Sequence, residues 1–184
     1  MILYVDATNR PESRTAELAE YLLENASGII RTDLYENDLF RTTGDVLKLR
    51  DRAFMTGDFS DAYFDEAKRF ASADTVVIAA PYWDLSFPAV LKEYIENICI
   101  NGIAFRYDES GQVHGLCRAE KLYYVTTAGG SITDDSFGFG YIDSLARNMF
   151  GIKETVYIKA EMLDVYGSDA GAIIEDTKKK IVQL

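Results

Sequence analysis

The chain has 184 residues, 48% of them hydrophobic, which is enough apolar sequence for one domain with a sizeable core. Its formal net charge of -11 argues against nucleic acids and anionic membrane surfaces as partners, because both are bound through basic patches. We therefore expect a single domain over residues 1–184.

No apolar run reaches the roughly 18 residues that a membrane-spanning helix needs, and no basic and then apolar leader precedes the first strand. The sequence therefore predicts a cytoplasmic protein without membrane contact. Cys99 and Cys117 match no zinc or redox spacing, so we expect free, inert thiols, and the lone His114 is expected in a surface loop. No set of metal ligands is visible, and no metal site is predicted.

The first predicted strand, Ile2–Val5, leads into a polar segment and then a helix with Leu18 and Leu22 on one face. Segment 6–15 thus lies at the carboxyl end of a strand and at the start of a helix, where unpaired N–H groups and the helix dipole favour an anion. It lacks the glycine patterns of dinucleotide and triphosphate loops. Its candidate donors are Thr8, Arg10, Ser13, Arg14 and Thr15. These residues predict a phosphate monoester site; the alternative is that Ser13 only caps the helix.

A weaker edge strand is predicted over 29–32, and a long charged segment, 35–58, contains a predicted helix over 45–54. This segment could cover a pocket, meet a second subunit or be a solvated insertion, and its residues favour none of these. Ser60 is a candidate cap for the next helix. The strand over 75–80 is apolar at both parities, as in a central parallel strand that is covered on both faces.

The loop over 80–88 places aromatic residues between two prolines, beside the predicted phosphate site. Such a loop could lie against a flat ring system and offer N–H groups to its polar edge. The alternative is that Trp83 and Phe87 only cover the end of the sheet. Ser86 is a candidate cap for the following helix, with Pro88 in its first turn.

After the fourth strand, Gly129 and Gly130 would let the backbone approach a planar ligand closely. The remaining predicted elements are a strand over 122–126, a helix over 141–150, a strand over 155–158 and a helix over 169–182. This alternation predicts an α/β fold with a doubly wound, five-stranded parallel sheet in the order 2-1-3-4-5 and helices on both faces. The three loops then meet at one switch point, and together they favour bound FMN.

The chain resembles the flavodoxin-like NAD(P)H-dependent oxidoreductases, the group that contains FMN-dependent azoreductases and NAD(P)H quinone reductases. The resemblance is carried by residues 13–15, 79–92, 102–107 and 127–130, which match in order and spacing across nearly the whole chain. It implies a homodimer with one FMN per subunit near the interface. NADH or NADPH would reduce the flavin by hydride transfer to N5, and a small aromatic acceptor, a quinone, azo compound or nitroaromatic, would reoxidise it.

The resemblance also implies roles for individual residues. The phosphate would be held by Thr8, Ser13, Arg14 and Thr15, the ring system by Pro81, Tyr82, Trp83, Asp84 and Leu85, and its other edge by Thr127, Ala128, Gly129 and Gly130. Tyr107 and Phe150 match aromatic positions that border the substrate pocket. No side chain is expected to act as a catalytic acid or base, because the flavin carries the chemistry.

Two positions depart from the azoreductase pattern, which commonly has Asn where this chain has Asp84 and Arg where it has Ala128. A carboxylate at Asp84 would disfavour an anionic reduced ring. The stretch 105–113 contains a tight-turn sequence, and we expect a hairpin that projects toward a partner subunit. Two other function classes stay open: a flavodoxin-type one-electron carrier and a non-enzymatic FMN-binding module.

Overall fold

The computed structural model describes residues 1–184. Its strands are β1 (Ile2–Asp6), β2 (Ile29–Asp33), β3 (Thr75–Ala79), β4 (Phe105–Tyr107), β5 (Val113–Gly115), β6 (Lys121–Thr127) and β7 (Glu154–Ala160). Its α-helices are α1 (Arg14–Leu23), α2 (Gly44–Thr56), α3 (Asp65–Ser72), α4 (Ala89–Ile98), α5 (Phe139–Leu145) and α6 (Ala170–Lys178). A 3-10 turn, Ala62–Phe64, precedes α3, and a π-helical turn, Ala146–Phe150, continues α5.

Five strands form one parallel sheet in the order β2-β1-β3-β6-β7, and β4 and β5 form a separate two-stranded hairpin. Counted along the chain without the hairpin, this is the predicted order 2-1-3-4-5, which is confirmed. In the register of the sheet, Asp6 lies beside Ala79, and Ala79 lies beside Val125. The loops that leave β1, β3 and β6 therefore start next to one another.

The central strand β3 is covered on both faces, as its apolar sequence predicts. Val76 and Ile78 belong to one buried cluster that also contains Leu91 of α4. Val77 belongs to the cluster on the opposite face, which contains Leu18 of α1. Since side chains alternate along a strand, each β3 residue packs into one of the two helical layers. No helix of the chain is both long and apolar enough to cross a membrane.

Two predicted helix starts are wrong. The cap before α3 is Asp61 instead of Ser60: the Asp61 carboxylate accepts a hydrogen bond from the Tyr63 N–H at 2.9 Å. Helix α4 begins after Pro88 without a side-chain cap, and the Ser86 hydroxyl donates to the Phe137 carbonyl oxygen at 2.5 Å. Ser86 therefore ties two loops together instead of starting a helix.

The hairpin of β4 and β5 is confirmed, and it packs on the chain's own core. The Phe105 ring is 6% exposed, whereas the Tyr107 ring is 54% exposed. An ideal Cβ at Gly115 would lie 2.2 Å from the backbone nitrogen of Gly151 and 2.2 Å from the carbonyl carbon of Phe150. Only glycine lets β5 approach this backbone so closely.

Replacing Gly115 by Ala should therefore destabilise the protein. A methyl group there meets backbone that cannot rotate away, and such overpacking costs about 1–3 kcal/mol. Chemical denaturation followed by circular dichroism measures the loss. Gly44→Ala is the matched control, because its Cβ would meet nothing within 4 Å and Gly44 is the first residue of α2. Equal stability of the two variants would contradict the close approach.

Candidate functional site

Three loops meet at the carboxyl edge of the sheet and enclose a pocket of about 310 Å³. Their starting points are fixed by backbone hydrogen bonds between neighbouring strands. The Ala7 N–H donates to Ala79 O at 2.9 Å, and the Tyr82 N–H donates to Thr127 O at 2.9 Å. The pocket is lined by Asn9, Arg10, Glu12, Ser13, Arg14, Thr15, Pro81, Tyr82, Trp83, Thr127, Ala128, Gly129, Leu163 and Asp164.

The start of α1 forms one wall of the pocket. Ser13 caps the helix, and its hydroxyl oxygen accepts a hydrogen bond from the Ala16 N–H at 3.2 Å. The N–H groups of Arg14 and Thr15 have no acceptor within the chain. Capping and anion binding are therefore compatible here, because the cap uses the Ala16 N–H and leaves the two N–H groups before it free.

Thr15 links the first and third loops. Its side chain is 1% exposed, and its hydroxyl oxygen lies 2.6 Å from the hydroxyl oxygen of Thr127. One of the two hydroxyls donates in this contact, so the other keeps its hydrogen for another acceptor. The pair thus fixes the distance between the first turn of α1 and the end of β6.

The two arginines of the first loop have different environments. An Nη1 atom of Arg14 donates to the Asp164 carboxylate at 2.8 Å and to the Leu163 carbonyl oxygen at 3.5 Å. Arg10 has no ion pair within the chain. The charge of Arg14 is thus balanced by a carboxylate, whereas Arg10 is a lining cation without an ion-pair partner, and Glu12 lines the same pocket.

The second loop presents aromatic side chains on a strained turn. Trp83 and Ser86 exchange two backbone hydrogen bonds of 3.0 and 2.8 Å. Between them, Asp84 and Leu85 have φ angles of 51° and 65°, in the left-handed region. A non-glycine residue there costs about 1–3 kcal/mol, and such strain concentrates at binding sites. The Tyr82 hydroxyl donates to Asp134 O at 3.1 Å and helps to hold this turn in place.

The third loop packs against the segment that follows β7. The N–H groups of Leu163 and Asp164 donate to Ala128 O and Gly129 O, at 3.2 and 2.9 Å. A Cβ on Gly129 would lie 2.6 Å from a carboxylate oxygen of Asp164. Gly129 therefore lets Asp164 pack closely on the third loop, in addition to the close ligand approach that the sequence predicts.

Glu161 holds the same loop through a hydrogen bond to its backbone. Its carboxylate accepts hydrogen bonds from the Ile132 N–H at 2.6 Å and from Lys159 Nζ. Burial opposes ionisation of Glu161, but these hydrogen bonds and the Lys159 charge outweigh it and hold the pKa below its ordinary value. A carboxylate that is ionised near neutral pH thus keeps the third loop attached to the end of β7.

Most of the predicted cofactor residues line this one pocket, but not all do. The predicted cofactor residues outside its lining are Thr8, Asp84, Leu85 and Gly130, and the predicted substrate-pocket residues Tyr107 and Phe150 also lie outside it. Thr8 is a buried residue of the first loop, and Tyr107 lies on the exposed hairpin. The Phe150 ring is 3% exposed and packs edge-on against Phe70 at 4.9 Å, so within its own chain it belongs to the core.

Sequence reasoning missed the fourth wall of the pocket, Leu163 and Asp164. Both follow β7, at the same edge of the sheet as the three predicted loops. The rule that ligands bind beyond the carboxyl ends of parallel strands would have included this segment. Its sequence contains no glycine pair or aromatic run that draws attention to it.

A family profile with the description "Flavodoxin-like fold" matches residues 1–184. The chain belongs to this family. It is 37% identical to an FMN-dependent NADH:quinone oxidoreductase 2 of Clostridium acetobutylicum, over 97% of this chain and 94% of the relative. It is 36% identical to an FMN-dependent NADH:quinone oxidoreductase of Clostridium beijerinckii, with the same coverage of 97% and 94%.

Solved structures agree in fold. An azoreductase from Bacillus anthracis str. Sterne superposes with a TM-score of 0.85 at 24% identity, over 98% of this chain and 95% of that chain. An FMN-dependent NADH-azoreductase from Bacillus anthracis str. Ames Ancestor, in complex with FMN, superposes with a TM-score of 0.77 at 21% identity, over 98% and 94%. These likenesses support the architecture of the whole chain.

The histidine and the two cysteines of the chain lie outside the pocket, and their contacts are with other residues of the chain. No group of three or more His, Cys, Asp and Glu side chains is placed to hold a metal ion. The Nε2 atom of His114 lies 2.7 Å from the Asp108 carboxylate on the exposed hairpin. Burial raises the pKa of Cys99 to about 11 and that of Cys117 to about 12. At neutral pH both side chains are therefore un-ionised thiols.

We expect both cysteines to react slowly with thiol reagents in the folded protein. The thiolate is the reactive form, and pKa values this high leave little of it at pH 8. Labelling with Ellman's reagent at pH 8 should be much slower in native protein than in protein unfolded with guanidinium chloride. Equal rates in the two states would contradict the buried environment of these thiols.

Proposed function

We propose that residues 1–184 form a single FMN-binding domain that acts as an NADH:quinone oxidoreductase. The observation that carries this proposal is the pair of free N–H groups of Arg14 and Thr15, in a pocket that Tyr82 and Trp83 also line. A phosphate fits the first feature, and a flat ring system fits the second. The names of the relatives that are more than 30% identical support the same assignment.

The residues that would hold FMN divide into three groups. Ser13, Arg14, Thr15 and the free cation of Arg10 would bind the phosphate. Pro81, Tyr82 and Trp83 would contact the ring system, with the exposed Leu85 beyond them. Thr127, Ala128 and Gly129 would meet its other edge. Thr8, Asp84 and Gly130 would act from outside the lining through the backbone of their loops.

When bound, FMN would supply two-electron redox chemistry between NADH, by hydride transfer to flavin N5, and a quinone, azo or nitroaromatic acceptor. The chain's own residues bind and orient. The exchanged backbone hydrogen bonds of the turn 83–86 keep Trp83 in place, and the hydroxyl pair of Thr15 and Thr127 fixes the phosphate end relative to the ring end. Holding reactants in register in this way supplies the orientation that hydride transfer needs.

We propose that a second copy of the chain covers α2 and the hairpin. Helix α2 buries only Ala53, while Leu47, Phe54 and Met55 are 48%, 56% and 84% exposed. Apolar side chains grouped in this way mark interaction surfaces. In such a homodimer the exposed ring of Tyr107 would border the partner's substrate pocket, and segment 35–58 would serve as an interface.

The proposed activity is tested on the full-length protein with added FMN. Anaerobic NADH should bleach the visible flavin band in a two-electron step, and a benzoquinone should restore it. The same titration is repeated with NADPH as the reductant. A one-electron reduced form that persists would indicate a carrier instead. An unchanged spectrum with both reductants, in protein that binds FMN, would indicate a non-enzymatic module.

Replacing Ser13 and Thr15 together by Ala should weaken FMN binding. Loss of two charge-assisted hydrogen bonds costs about 1–3 kcal/mol, or about 5- to 150-fold in Kd. Fluorescence titration with FMN measures the change. The matched control is Asp169→Ala, since Asp169 caps α6 by accepting from the Ala172 N–H at 3.0 Å and lies outside both the pocket and segment 35–58. Unchanged FMN affinity in the double variant would contradict phosphate binding by these hydroxyls and would mean that Ser13 only caps α1.

A further inference from the structure

Asp6, the last residue of β1, carries a carboxylate that is completely buried. One carboxylate oxygen accepts a hydrogen bond from the Thr8 N–H at 2.8 Å. The other accepts from a guanidinium nitrogen of Arg31, on the edge strand β2. A buried charge is costly unless it is paired and hydrogen-bonded, and both conditions are met here.

The position of Asp6 links it to the first turn of α1. Side chains two residues apart on a strand share a face, so Asp6 lies on the face of Tyr4. Tyr4 belongs to the buried cluster that contains Leu18 and Leu22 of α1. The carboxylate therefore sits at the end of β1, in the layer that α1 covers.

The bond to Thr8 is the last internal anchor before the pocket. The N–H groups of Thr8 and Ala16 are bonded to side chains of the chain itself, to Asp6 and Ser13. Between them, Pro11 has no N–H group, and the N–H groups of the other residues from Asn9 to Thr15 have no acceptor within the chain. Asp6 thus fixes one end of the free stretch, as Ser13 fixes the other.

Arg31 makes this anchor compatible with an anionic ligand. A carboxylate close to a phosphate would repel it, but the Arg31 guanidinium balances the Asp6 charge and lies 5.4 Å from the centre of the Tyr4 ring. Asp33 is the second carboxylate near Arg31, at 3.9 Å, and it has no bond to the loop. One ion pair therefore both holds the Thr8 N–H and neutralises the Asp6 charge.

We propose that Asp6, held by Arg31, is a positioning residue that presents the N–H groups of the first loop to a phosphate monoester. This inference rests on the proposed function, because the phosphate is that of FMN. It makes the Asp6–Arg31 pair a determinant of the preference for FMN over riboflavin, which has the same ring system without the phosphate. Neither Asp6 nor Arg31 lines the pocket, so the pair would act through the loop.

The test compares FMN and riboflavin affinities in full-length protein by fluorescence titration. The main variant is Asp6→Ala combined with Arg31→Met, which removes both charges together and leaves no buried ion without a partner. We expect its FMN affinity to fall at least about fivefold relative to riboflavin, as for one lost anchoring hydrogen bond near a charged ligand. Asp6→Asn keeps an oxygen that accepts from the Thr8 N–H and should recover most of the preference.

Asp33→Asn is the control for a general charge effect, and it should leave the FMN-to-riboflavin ratio unchanged. A ratio that stays at the wild-type value in the Asp6→Ala, Arg31→Met variant would overturn the inference, as would a parallel loss of both ligands. An equal shift in Asp33→Asn would also overturn it. If the wild-type protein binds no FMN, the proposed function fails as well, so the two failures are distinguishable.

Discussion

The backbone N–H groups between Thr8 and Ala16 have no acceptor within the chain, and the candidate site depends on this feature more than on any other. Helix starts always leave such groups, and most are satisfied by caps or water. Here the cap of Ser13 satisfies Ala16 alone. The remaining donors line a pocket, next to two arginines of which only one is neutralised by a carboxylate.

The parallel sheet turns this local feature into a site. Because Asp6, Ala79 and Val125 lie side by side in register, the loops after β1, β3 and β6 must share one edge. The first loop supplies donors for an anion and the second supplies aromatic surface. The third supplies backbone that packs closely on Asp164, so the pocket has walls of different chemistry at fixed distances.

The sequence was informative where pattern and chemistry agreed. The apolar run of β3 predicted a strand covered on both faces, and the alternation of strands and helices predicted the sheet order, because these depend on burial at each position. Caps were less predictable: Ser60 and Ser86 have suitable side chains, but Asp61 and a contact to Phe137 satisfy the backbone instead. A cap depends on local geometry that the residue type alone does not encode.

The site was predicted only in part, because some of its contacts also depend on geometry that residue types do not encode. Hydroxyls, arginines and aromatics at strand ends identify a polar-aromatic pocket, but the pairing of Arg14 with Asp164 joins residues far apart in sequence. No spacing rule reveals such a contact. The role of Asp6 was hidden likewise, because an Asp at a strand end is common and only its burial and its bond to Arg31 distinguish it.

The central claim is that the first turn of α1 binds the phosphate of FMN, and amide NMR tests it most directly. With 15N-labelled protein, the account predicts that the Arg14 and Thr15 amide resonances shift on addition of FMN and stay in place with riboflavin, while Tyr82 and Trp83 respond to both. Amides of Arg14 and Thr15 that respond equally to the two ligands, or to neither, would contradict it.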